Sequence, residues 1–365
     1  MKQTEYIGVG EISKFKEILD YTKSKKIFLV TGKKSYATSG AQKYFEGINK
    51  YAEVFHFDDF ASLPKYEDIL KGIETYKDFN PDLVVAVGGG SVIDVAKSVN
   101  ILASQNKTAD KYVTGEEKIA HSGKPLVAIP TTAGTGSEAT HFAVVYKDGT
   151  KYSLASELML PTFSIVDPTL SFSVPRKTAI ACALDALSQS IESFWSTKAT
   201  DESRGYARQA LKSILKNIIP AIEDKNYTAM ETLAIGAHLA GKAINISKTT
   251  ACHAFSYGLT YRFGVPHGIA VAVFLANVYR YNSDINATKS IFKELDAIMG
   301  YSDSKKAADA LENLIKRLGV AKLSSFGVKA SDIISLVSEV NIERLANNPR
   351  AISKEDVINF YTGAL

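Results

Sequence analysis

Cysteine is scarce: Cys182 and Cys252 are the two thiols in a chain of 365 residues. Both sit in apolar, helix-like runs, which gives no disulfide framework and suggests buried thiols in a reducing compartment. An excess of one charge is missing too. A net charge of +4 with acids and bases interspersed is too mild to imply a nucleic-acid or membrane-surface partner, yet it does not oppose an anionic substrate. No apolar run is long enough to span a bilayer. The start, MKQTEYIGVG, lacks the apolar stretch of a signal peptide, so a cytoplasmic protein is expected. There is no internal repeat, no low-complexity tract and no GxGxxG fingerprint, and the last absence excludes the standard Rossmann reading. What is present is ordinary globular composition, 45% hydrophobic and 22% charged, at a length that suggests two domains with real cores.

The first half alternates apolar strands and helices. Strands are expected at residues 27–31, 53–57, 83–87, 126–129 and 163–166, and helices at 39–49, 66–77 and 92–102. Continuous apolar strands separated by helices imply a parallel sheet covered on both faces. Residues 142–146 and 151–154 flank Asp148-Gly149 and predict a β-hairpin. Gly8 and Gly10 read as turn glycines. After Pro175 only helical periodicity is left, in about eight segments. The expected fold is therefore an α/β domain with a parallel sheet over residues 1–172 and an all-helical domain over 173–365.

Two glycine-rich loops follow strands. Gly88-Gly89-Gly90-Ser91 joins a buried strand to a helix, where missing side chains and unpaired helix N–H groups suit a phosphate; a plain tight strand–helix turn is the alternative. The second loop is Pro130-Thr131-Thr132-Ala133-Gly134-Thr135-Gly136-Ser137-Glu138. Two such loops at the carboxyl ends of parallel strands point to one dinucleotide site.

The helical half carries Asp185, His253 and His267. One carboxylate and two imidazoles make a three-ligand divalent metal site with a position left open. Asp185 and Gln189 stand four apart on a predicted helix and share a face. His253 opens a helical run with Tyr257 one turn on. His267 follows the break Gly264-Val265-Pro266, where a second helix can start. Six histidines in the chain are unremarkable, so spacing alone leaves core or surface roles open.

Together GGGSVIDVAKSV, PTTAGTGSEAT, IVDPTL, DALSQSIES and the His253…His267 pair with its PHG resemble the iron-containing (group III) alcohol dehydrogenase family. The resemblance spans nearly the whole chain. It implies an oxidoreductase acting on alcohols or aldehydes, with metal and nicotinamide meeting in the cleft between the domains. It implies that Gly88, Gly89, Gly90 and Ser91 bind the pyrophosphate. Gly32, Asp94, Thr131, Thr132, Thr135, Ser137, Lys151 and Leu170 are the further cofactor-binding candidates. Asp185, His253 and His267 match the family's ligands; its fourth ligand, a histidine, is replaced by Gln189, which puts iron in doubt and admits zinc. Where the family commonly has a further histidine, this chain has Tyr257, a candidate proton carrier. Gly32 stands where NAD-preferring members carry an aspartate, and with Lys33 and Lys34 beside it NADP(H) is expected over NAD(H).

KYSLAS, IESFWSTKAT and TTACHAFSYGLTYRFGVPHG are similar to the phosphonoacetaldehyde reductase (hydroxyethylphosphonate dehydrogenase) branch. That implies an anionic aldehyde, with Lys248 and Arg262 as candidate anchors for its phosphonate. A homodimer is the expected assembly. The alternatives are a generic short-chain alcohol dehydrogenase, a dehydroquinate-synthase-like cyclase, and a non-catalytic binding protein with a decayed site.

Overall fold

The computed structural model describes residues 3–365, apart from the side chain of Glu343. The chain divides into two compact units, the first ending at Val174 and the second running Pro175–Leu365. Helices of eight residues or more are numbered below.

The first unit is built on a six-stranded parallel sheet of β1 (Thr4–Ile7), β2 (Lys26–Thr31), β3 (Glu53–Phe57), β4 (Leu83–Gly88), β5 (Leu126–Pro130) and β8 (Phe163–Val166), in the order β1-β8-β5-β4-β2-β3. Alternate residues explain why its central strands read as unbroken apolar runs. Phe28, Val30, Val84, Ala86, Leu126 and Ala128 enter one core, while Ile27, Leu29, Leu83, Val85, Val87, Val127 and Ile129 enter the other. A strand buried on both faces has no polar side to reveal its period. The helices α1 (Phe15–Thr22), α2 (Tyr66–Phe79) and α3 (Gly90–Ala103) complete the layers. The hairpin is β6 (Phe142–Lys147) and β7 (Thr150–Ala155), antiparallel. Its turn residues Asp148 (φ 49°) and Gly149 (φ 79°) both take left-handed backbone, the twist that a two-residue hairpin turn requires.

Two expectations need correcting. The helix expected at 39–49 is broken into Ser35–Thr38, Gln42–Phe45 and a 3-10 turn Ile48–Lys50, because Gly40 (φ 80°) and Gly47 (φ 79°) each leave the right-handed helical region. Strand β1 went unrecognised: four residues of mixed polarity at a sheet edge carry too little pattern, and pairing with β8 makes the strand.

The second unit is helical throughout. Its long helices are α4 (Arg176–Trp195), α5 (Asp201–Ile222), α6 (Tyr227–Ser247), α7 (Ala251–Phe263), α8 (His267–Ser283), α9 (Lys289–Met299), α10 (Ser304–Arg317) and α11 (Lys354–Ala364). Helix α5 starts at a Thr200–Ser203 capping box and α6 at an Asn226 cap, each satisfying N–H groups that a helix start leaves open. Trp195 closes α4 in the core, stacked on Phe292 at 5.7 Å and edge-on to Tyr279 at 5.8 Å. Gly264 (φ 64°) ends α7, and Pro266 caps α8 one residue before His267. Cys252 is fully buried as expected; Cys182 is only half-buried.

Candidate dinucleotide and metal sites

In the first unit β4 and β5 are neighbours, so their two loops leave the same edge of the sheet. The Thr131 N–H donates to the Gly88 carbonyl at 2.9 Å and ties them together. The glycines serve close approach, since none of the three has positive φ. A Cβ on Gly90 would lie 2.6 Å from the Thr135 hydroxyl, and one on Gly88 would lie 2.5 Å from Val92. Helix α3 begins at Gly90 with no side-chain cap. Its first N–H groups are thus open to an anion, with the helix dipole behind them. Gly32 ends up at the neighbouring strand end, where Val92 packs against both Gly32 and Gly88.

Lys97 holds the second loop in shape. Its ammonium is buried and donates to the carbonyls of Ser137, Thr140 and Phe142 and to the Thr140 hydroxyl. Asp94, one turn earlier on α3, accepts from the Ser137 hydroxyl at 2.5 Å and from the Val144 N–H at 3.1 Å. Burial lowers the Lys97 pKa to about 8 against the pull of Asp94 and Glu138, so the ammonium persists at neutral pH. Asp94 and Ser137 are therefore engaged with one another. Thr132 and Thr135 face Gly89 and Gly90, and Lys151 lies within electrostatic reach of Asp94. The apolar side chain of Leu170 is buried in the core that contains Ile165. Lys33 pairs with Asp59 at 3.4 Å, both exposed.

In the second unit three helices bring the metal-ligand candidates together. Asp185 lies in the middle of α4, His253 in the first turn of α7 and His267 at the first position of α8. Their ligand atoms all fall within 4.8 Å of one another. His253 Nε2 is 3.3 Å from Asp185 Oδ1, and His267 Nε2 is 3.9 Å from the same oxygen. Gln189, one turn along α4, hydrogen-bonds the Asp185 carboxylate. Tyr257 lies nearly parallel to the His267 ring, centroids 6.4 Å apart. One carboxylate and two imidazole nitrogens converging at this spacing fit a divalent ion.

Electrostatics hold the cluster. Burial opposes ionisation of Asp185, but His253, His267 and Gln189 outweigh it and keep the carboxyl below its ordinary range. Burial likewise lowers the His253 pKa, yet the Glu192 and Asp185 carboxylates overcome it and raise it to about 9. Cys252 is pushed well up by burial and Glu192, so the thiol beside His253 is no nucleophile.

Two contributors escaped the sequence reading. Gly268 lets α8 reach α4: a Cβ there would sit 1.8 Å from the Ala181 carbonyl oxygen and 2.9 Å from the Asp185 nitrogen. Glu192, fully buried, bonds His253 Nδ1 through Oε2. Its Oε1 accepts from the Thr250 hydroxyl and the Cys252 N–H, each at 2.7 Å. Asp185, Gln189 and Glu192 follow an i, i+4, i+7 spacing on one helix face, and that spacing was the available signal.

Of the two anchors, Arg262 is not brought to this cluster. It lies nine residues beyond His253, about 13 Å along the helix axis, where it binds Glu339 and Ser335 at 2.7 Å each. Lys248 lies at the α6–α7 junction, next to Ser247, whose hydroxyl meets Ser193 of α4 at 2.8 Å.

Comparison with known proteins gives these sites a context. The family model "Iron-containing alcohol dehydrogenase" matches residues 3–168, and "Fe-containing alcohol dehydrogenase family, C-terminal" matches 179–365. The chain is 30% identical to an alcohol dehydrogenase of Thermococcus barophilus, over 96% of this chain and 92% of that one. It is 30% identical to a 1,3-propanediol dehydrogenase of Klebsiella pneumoniae, covering 98% and 96%. Among solved structures it resembles sulfoacetaldehyde reductase from Bifidobacterium kashiwanohense in complex with NAD+, with a TM-score of 0.92, 30% identity and coverage of 99% and 96%. An α/β unit carrying two phosphate-type loops, a helical unit carrying an Asp/His/His cluster, and these matches lead to one conclusion: the chain belongs to the iron-containing alcohol dehydrogenase family, oxidoreductases that act on CH–OH groups with a metal and NAD(P).

Proposed function

We propose that this enzyme works as a reductase of short aldehydes bearing an anionic group, with phosphonoacetaldehyde, reduced to 2-hydroxyethylphosphonate, as the favoured substrate. The observation that carries the reading is the Asp185–His253–His267 cluster, whose ligand atoms lie within 4.8 Å. When bound, a divalent metal supplies Lewis-acid polarisation of a carbonyl and NAD(P)H supplies the hydride. The chain's own residues bind and orient. Asp185 brings the negative charge, and His253 and His267 offer neutral nitrogens. Tyr257, beside His267, delivers the proton that completes the alcohol. The α3 N-terminus and the 131–137 loop hold the dinucleotide, with Gly32 and Lys34 favouring NADP(H). Iron or zinc fits the donor set; Gln189, an amide in place of an imidazole, shifts the balance away from iron.

Two observations support an anionic substrate. A similar structure is a sulfoacetaldehyde reductase, named for an aldehyde carrying a sulfonate. Lys248 has φ 61° and ψ 176°, backbone space that only glycine occupies without strain, at a cost of ~1–3 kcal/mol. A lysine at a position whose backbone favours glycine supports a use for its ammonium, and Lys248 is the anchor we propose. The second reading, a generic short-chain alcohol dehydrogenase, is favoured by the similarity to 1,3-propanediol dehydrogenase. An aldehyde panel with NADH and NADPH after defined metal loading decides between them. Higher kcat/KM for phosphonoacetaldehyde than for propanal, falling selectively in Lys248→Ala, is expected; preference for propanal or butanal overturns the anionic assignment. The proposed assembly is a homodimer, which sedimentation tests directly.

A further inference from the structure

The metal-ligand cluster rests on a side chain that makes no direct claim on the ion. Glu192 is fully buried on α4, one turn beyond Gln189. An ionised carboxylate is costly in such a place unless its oxygens are filled, and here they are. Oε1 accepts from the Thr250 hydroxyl and the Cys252 N–H, both at 2.7 Å. Oε2 meets His253 Nδ1. Thr250 is fixed in turn by the Trp195 indole N–H at 2.9 Å, and Ser193 and Ser196 on the same stretch of chain bond Ser247 and its carbonyl at 2.8 Å each. The whole start of α7 is pinned to the end of α4.

We infer that Glu192 is the positioning residue of the metal site: it holds the His253 proton on Nδ1 and so commits Nε2 to the ion. The geometry leaves His253 little choice. A carboxylate only accepts, so Nδ1 must donate to it. The other nitrogen, Nε2, is the atom that faces Asp185 at 3.3 Å. Ring orientation and the Nδ1 proton are thereby set before any ion arrives, Nε2 gives up its own proton as the ion binds, and the carboxylate raises the basicity of that ligand nitrogen through the ring. Glu192 also settles the charge. With Asp185 it supplies two negative charges among neutral imidazoles, which balances a divalent ion in a buried setting. This inference rests on the metal-dependent reading above.

The decisive variant is Glu192→Gln, which keeps the size. Its oxygen is claimed by the fixed Cys252 N–H and by Thr250. Its NH2 group then faces His253 Nδ1 and demands an acceptor there. The proton moves to Nε2, the nitrogen that has to bind the ion. The reversed amide would set NH2 against the Cys252 N–H, donor against donor.

The experiment measures Zn2+ affinity by competition with a chromophoric chelator at fixed pH, melting of the metal-free protein, and 15N ring shifts of His253. In the wild type loaded with Zn2+, the proton is expected on Nδ1 and the ion on Nε2. In Glu192→Gln, affinity should fall roughly 10–100-fold in a protein that still folds, its metal-free melting lowered by the loss of the buried Glu192–His253 pair. Unchanged affinity in a folded variant overturns the inference. So does Zn2+ on Nδ1 in the wild type, a measurement that holds even if the variant fails to fold. A wild type that binds no divalent ion overturns the metal-dependent reading itself, a separate result from a wild type that binds and a variant that binds equally well.

Discussion

Replacing Gly268 by alanine should damage the metal site without touching a ligand. The added Cβ would lie 1.8 Å from the Ala181 carbonyl oxygen and 2.9 Å from the Asp185 nitrogen. Both neighbours are backbone atoms inside helix α4, so neither can rotate away. Real Cβ contacts do not fall below 3.0 Å, so α8 must retreat from α4 by ~1.2 Å or more, well beyond the ±0.2 Å within which metal–ligand distances are held. His267 is the adjacent residue and moves with the helix, while Asp185 stays on α4. Overpacking of this kind costs about 1–3 kcal/mol, which in a unit of this size lowers Tm by a few to about ten degrees. The expected result is a folded protein with lower Tm, Zn2+ or Fe2+ affinity reduced at least tenfold, and turnover falling with metal occupancy. Chelator competition and calorimetry on the purified variant provide the check. Wild-type metal affinity in Gly268→Ala would refute the claim that this close helix contact places His267.

Three further outcomes are expected. Gln189→His should raise iron over zinc in protein loaded from an equimolar mixture, because imidazole is the better iron ligand; an unchanged ratio by elemental analysis would mean that Gln189 does not reach the ion. Gly32→Asp should lower the NADPH/NADH preference roughly tenfold or more, with Gly32→Ala as the control, since a Cβ alone already crowds the Ser35 hydroxyl at 2.4 Å; equal ratios in both variants would place the 2′-phosphate elsewhere. In the metal-free protein the folded state raises the His253 pKa from 6.5 to about 9. The protonated form is favoured by folding, so its stabilisation is complete below pH 6.5 and is lost as pH rises to about 9, on the order of 3 kcal/mol. Denaturation of the metal-free protein and of a His253→Gln variant at pH 6 and pH 9 separates that loss from the opposing gain at Lys97, whose pKa of about 8 relieves a folding cost in the same window. Equal pH dependence in the two proteins would refute it.

Much of this was legible in the chain because the patterns are local. Apolar runs 83–87 and 163–166 become strands because burial on both faces leaves them no other use. The Asp148-Gly149 pair makes its hairpin because the turn's backbone demands those residues. Asp185, His253 and His267 could be named from residue type and motif, and the Asp185–Gln189 pairing from helical spacing. Other features belong to chain segments far apart in sequence, and only folding joins them. Glu192 meets His253 across 61 residues. Gly268 meets Ala181 across a helix packing whose closeness no local pattern encodes. Arg262 and Lys248 looked equivalent as cations near the same motif, yet helix geometry gives one to Glu339 and holds the other in strained backbone. The sequence determined which chemistry was at hand, because residue types are chemistry. The tertiary structure decided which groups touch, because contact depends on how helices and strands pack.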